Sequence, residues 1–149
     1  MRKHSIHDIT PALLVEPVLT DEDWREYERG WRLFNEQEYW HAHEAWENVW
    51  KRRPEESRIF FQGIIQLAAA LHLLMVKRRY GGMMGNFEKA EKKLRLFPPC
   101  FLGVEVNKLL SFIAIARKEI LRIGSGSLEL FNRQLLPVVA VQRASRSSS

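Results

Sequence analysis

Apolar side chains recur every three or four residues along most of this chain. Trp24, Tyr27, Trp31 and Phe34 line one face of a helix. Thr20, followed by Asp21, Glu22 and Asp23, supplies a hydroxyl cap and then carboxylates at the positive end of the helix dipole. Asn35–Glu36–Gln37–Glu38 interrupts that face without Gly or Pro and reads as a tight turn into a second helix, Tyr39 to Arg52. Pro54 ends this helix or opens the next. Glu55 to Arg79 is the longest element, and its centre from Ile59 to Met75 is apolar nearly all round, as befits a covered core helix. Gly81-Gly82 and Gly85-Asn86 bracket an expected loop, with Asn86 capping a short helix that runs to Phe97 and stops at Pro98-Pro99. A last amphipathic helix spans Val104 to Ile123, with Leu109, Leu110, Ile113, Ala116 and Ile120 on one side. No segment sustains period-two alternation. The reading is all-α, a compact bundle of about five antiparallel helices joined by short connections.

The ends read differently. Residues 1–19, with Pro11 and Pro17 and no helical period, form an expected extended arm lying on the domain. The bundle covers 20–124. Gly124-Ser125-Gly126-Ser127 stops the last helix and makes a joint, after which 128–142 is apolar enough to cover its own bundle or a second copy, and a homodimer is the expectation. Arg143 to Ser149 reads as a disordered basic, serine-rich tail.

Composition narrows the class. At 149 residues, 46% hydrophobic and 28% charged, the chain is long enough for one buried core and too apolar for wholesale disorder. No secretory signal or membrane span is read from the pattern, and the single cysteine, Cys100, cannot form an internal disulfide. A cytoplasmic location without membrane attachment follows as an expectation. Residues 1–75 carry 9 basic and 13 acidic side chains, whereas 76–149 carry 14 and 5. The scattered basic half implies at most non-specific polyanion binding, weakened by salt.

One helix holds candidate chemistry. In Y-W-H-A-H-E-A-W-E-N-V-W from Tyr39, a step of about 100° per residue puts Tyr39, Ala42, His43, Trp46, Val49 and Trp50 on one face, with Glu47 at its margin. His41 faces away. H-E-x-x-E has the spacing of the zincin H-E-x-x-H with a carboxylate replacing the second imidazole. His43 and Glu47 are thus candidate ligands of a divalent metal of unspecified identity, and Glu44 a candidate catalytic base for bound water. Gln62 and Gln66, an i, i+4 pair in the apolar third helix, and His72 beyond them complete a candidate polar cluster. The competing reading needs no ion: the same residues form a satisfied network that fixes the register of two helices. The two readings lead to a metal-dependent hydrolase acting on an unspecified small molecule, or to a non-catalytic helical-hairpin interaction module.

Two separated motifs carry a resemblance. L-F-N at 33–35, Tyr39, A-H-E-x-W-E-x-x-W at 42–50 and F-x-Q-G-x-I-Q-x-A-A-A-x-H at 60–72 resemble the pattern of DUF309, a family of small helical domains of unknown function. The resemblance runs from Trp24 to Phe97 and implies a bundle of helical hairpins. Its members have been grouped under the label "predicted metal-dependent hydrolase", which is the activity it implies. The family's later G-N-x-x-G-A is only partly kept, since Gly85-Asn86 is followed by Phe87-Glu88-Lys89-Ala90.

Overall fold

A computed structural model of the chain describes residues 15–52 and 58–143. Five α-helices lie among them: α1 (Asp21–Asn35), α2 (Tyr39–Arg52), α3 (Arg58–His72), α4 (Tyr80–Leu94) and α5 (Val106–Ile123). The backbone N–H of Asp23 donates to Thr20 Oγ1 at 3.1 Å, so the expected hydroxyl cap opens α1. Gln37 takes a left-handed φ of 65° in the turn, and α2 returns antiparallel to α1. The hairpin is tied at its open end, where Arg52 Nε donates to the buried Asp23 carboxylate at 2.7 Å.

α3 is the hub, packed between α2 and α4. Eleven of its fifteen residues are buried, because its apolar side chains face neighbours on nearly every side. Arg58–Lys77 is long and apolar enough to cross a membrane by length and composition, yet 61% of its most apolar window is buried inside the bundle, the mark of a core helix. Gly63 allows the close α3–α4 approach: a Cβ there would sit 3.1 Å from Leu94 Cδ2. The start expected near Glu55, with Pro54, lies outside the described residues.

The chain after α3 differs from the expected glycine loop. α3 continues into a π-helical turn, Leu73–Lys77, and Arg78 reverses the chain with a left-handed φ of 52°. Gly81, Gly82, Gly85 and Asn86 all lie within α4. The reason is a core stripe that begins before Asn86: Met83, Phe87, Ala90 and Leu94 fall on one buried face. Asn86 is no cap, since its side-chain amide donates back to Gly82 O at 2.9 Å inside the helix. α4 also ends at Leu94 rather than at Phe97, which is buried in the turn that follows.

A two-residue antiparallel pair, β1 (Cys100–Phe101) with β2 (Val104–Glu105), precedes α5, so that helix opens at Val106 rather than Val104. Leu102 and Gly103 turn the pair with φ of 45° and 77°. Tyr27 O–H donates to Leu102 O at 2.9 Å, which pins the turn to α1, and burial holds this phenol far above its ordinary pKa.

After Gly124, with φ 89°, the chain makes two short 3-10 turns, Leu128–Leu130 and Arg133–Leu135, and folds over its own bundle. Leu128 and Phe131 are buried there. Asn35 holds this strap from both sides, its Nδ2 donating to Val139 O at 2.9 Å and its Oδ1 accepting from Val139 N–H at 2.7 Å. Gln142 N–H donates to Gly103 O, and Arg143 pairs with Asp21 over the Trp24 ring. Intramolecular cover is therefore the arrangement of 128–143. Residues 15–19 carry no regular element, and Pro17 and Leu19 are buried against the domain. The remainder of the expected arm and tail lies outside the described residues.

Candidate functional site

α2 buries Tyr39, Ala42, Trp46 and Val49 of the expected face and Ala45 besides, whereas His43 and Trp50 are half-buried. His43 stands at the margin of that face, and its Nε2 lies 3.0 Å from Glu47 Oε1, one helical turn on. The imidazole is mostly covered, with 16% of the side chain exposed, and its Nδ1 is buried without a hydrogen-bond partner among the described residues. Burial lowers its pKa below the ordinary histidine value, and Glu47, then Glu44, oppose the shift.

Two further rings complete this edge. Trp40 stacks on His43 with centroids 4.6 Å apart and planes 11° from parallel. His72, at the end of α3, lies beside them, its ring centroid 5.3 Å from that of Trp40. The pKa of His72 is lowered too, by burial first and then by Lys77 and His43.

The other candidates point elsewhere. Glu44 lies one step round the helix, more than half exposed, and its Oε1 takes a hydrogen bond with His41 Nδ1 at 3.1 Å. Gln66 turns to the α4 side of α3, where its Oε1 accepts from Lys93 Nζ at 2.9 Å. Gln62 is half-buried on α3 and, among the described residues, bonds to neither His43 nor Glu47. The six-residue cluster read from the sequence thus separates into a His43–Glu47 pair flanked by Trp40 and His72, an outer His41–Glu44 pair, and a Gln66–Lys93 bond across α3 and α4.

A divalent metal therefore finds few donors. Among the described residues no group of three or more His, Cys, Asp or Glu side chains converges to hold one. His43 and Glu47 alone do not make a catalytic coordination set, which takes about three protein ligands. Among the described residues, no third such ligand joins the His43–Glu47 pair.

What the geometry defines is a bundle of helical hairpins with a polar, ring-lined seam where α2 meets the end of α3. Residues 27–85 match the model of a family described as a domain of unknown function (DUF309), and the chain is similar to that family over this segment. The match runs from Tyr27 in α1 through Gly85 in α4 and so contains the whole seam. No curated protein matches the chain.

Trp40 is the residue the sequence reading missed. Its signal was available: it lies off the apolar face of α2, and a large aromatic at an outward position is the informative anomaly. It is 48% exposed, whereas Trp31 and Trp46 are fully buried.

Proposed function

We propose that this helical bundle is a non-catalytic interaction module, and that the His43–Glu47 pair is a structural bond at the edge of the α2–α3 seam. The observation that carries the reading is the divergence of Glu44 towards His41. The one carboxylate that could act as a base beside His43 and Glu47 is engaged on the outer face of the helix. General-base work needs that group within hydrogen-bond reach of the activated water. The covered imidazole with a depressed pKa, bonded through Nε2 and stacked on Trp40, suits a ring that packs rather than one that exchanges ligands.

A metal-dependent hydrolase keeps one observation in its favour, the convergence of His43 and Glu47 to 3.0 Å on one face. Calorimetric titration of untagged, chelator-treated protein with Mn²⁺ and Zn²⁺ separates the readings. The interaction module predicts no stoichiometric binding that disappears in His43→Gln. A one-to-one isotherm lost in that variant refutes it and restores the hydrolase.

A further inference from the structure

A cleft opens beside the seam, where the π-helical turn leads into α4. It has a volume of about 560 Å³ and is lined by Trp40, His72, Leu73, Val76, Lys77 and Arg79. That volume lies within the usual range for small-molecule sites, roughly 300–1,000 Å³. Among the described residues no acidic side chain lines it.

The lining has two chemistries. Trp40 offers its exposed indole surface, and the stack on His43 fixes the orientation of the ring, so little side-chain freedom is lost when something lies against it. Leu73 and Val76 extend this apolar floor. Lys77 and Arg79 bring positive charge, and neither forms an ion pair among the described residues. α4 begins immediately after Arg79 with no acid in its first turn, so its dipole adds to the positive potential. The local backbone fixes the two cations on either side of the reversal at Arg78.

We infer that this cleft binds a nucleoside phosphate, with the base against Trp40 and the phosphate on Lys77 and Arg79. A flat π-surface next to unneutralised cations is complementary to a ligand that is planar at one end and anionic at the other. A single-stranded nucleic acid would need successive stacking platforms along a basic groove, whereas among the described residues the Trp40 indole is joined in the lining by the His72 imidazole alone. An interfacial membrane anchor would need its Trp to project outward, whereas Trp40 is laid against His43 at the wall of a concavity. The inference goes beyond the interaction-module reading, which stands on the side chains of α2.

The experiment is a titration of the ¹⁵N-labelled full-length chain with AMP at low salt, following the indole N–H resonances, with Trp40→Phe identifying the Trp40 signal. Adenosine and inorganic phosphate serve as half-ligand probes. The expected result is a saturable shift of the Trp40 resonance by AMP, with adenosine and phosphate each at least about tenfold weaker. The exposed double variant Lys77→Gln/Arg79→Gln should keep its melting temperature and weaken AMP at least about tenfold. The inference is overturned if AMP moves no Trp40 resonance up to about 5 mM, or if the double variant binds AMP as the parent does. It is equally overturned if AMP is silent while an oligoribonucleotide or anionic phosphatidylserine vesicles perturb the same resonance.

Discussion

Replacing Gly30 with alanine tests the packing that positions α2. Gly30 sits on the buried face of α1 against the indole of Trp46. A Cβ built there falls 2.7 Å from Trp46 Cε2 and nearer still to Cδ1 and Nε1. The indole cannot retreat, because Trp31 lies 4.6 Å away ring to ring, Phe34 lies at 6.0 Å, and Trp46 Nε1–H donates to Tyr27 O. Overpacking of a tight core costs about 1–3 kcal/mol and occasionally more. Displacing the indole N–H from its acceptor costs about 1–3 kcal/mol if it stays buried. Helix propensity works in the opposite direction, since alanine is favoured over glycine by about 1 kcal/mol. The net expectation is a loss of about 2–4 kcal/mol, or a melting temperature lower by roughly 5–15 °C for a chain of this size. Thermal and urea melts followed by far- and near-ultraviolet circular dichroism measure it. A melting temperature that is unchanged or raised would mean propensity outweighs contact, and the reasoning would be wrong.

The pH dependence has a definite sign. His43 and His72 both have folded pKa values below the ordinary one, so below about pH 6.5 the unfolded chain takes up protons that the folded chain refuses. Unfolding free energy should therefore fall as pH drops through that range. Urea melts on His43→Gln should show a shallower slope, and an unaltered slope would remove His43 as a contributor. Asn35→Ala deletes both hydrogen bonds to Val139 and should cost about 1–3 kcal/mol if Val139 stays covered, or free the strap. Hydrogen exchange should then rise at 135–142 before it rises in α3, and uniform protection there would contradict the role given to Asn35. Leu128→Ala, at a side chain only 4% exposed, should lower stability by about 2–3 kcal/mol in the same melts, and a change within experimental error would mean the strap adds no cover.

The helices were legible because their apolar stripes coincide with buried faces. Thr20 as cap, Trp24, Tyr27, Trp31 and Phe34 as the inner face of α1, and the limits of α2 all follow from spacing and end chemistry. The glycine-rich stretch was misread because its conformational freedom is unused: Arg78, a non-glycine residue, makes the reversal, and Met83 draws the glycines into a helix. At the candidate site, the His43–Glu47 contact was legible, being an i, i+4 pair within one helix. The partners of Glu44 and Gln66 were not, because they depend on choices between neighbours. Glu44 could turn inward or to His41, and Gln66 could face α2 or Lys93 on α4. The cleft was illegible for a related reason. Trp40 and Lys77 are 37 residues apart in sequence, and only the antiparallel return of α3 against α2 brings them to one wall.

The central claim, that His43 and Glu47 form a structural bond without an ion, is tested most directly by a double-mutant cycle in stability. His43→Ala, Glu47→Ala and the double variant would be unfolded with urea in the presence of a chelator and again with Mn²⁺ in excess. The account predicts a coupling of about 0.5–1 kcal/mol, modest because Glu47 is partly exposed, and the same with and without metal. A coupling that vanishes in chelator and emerges only with Mn²⁺ would contradict it, since the pair would then be held by the ion.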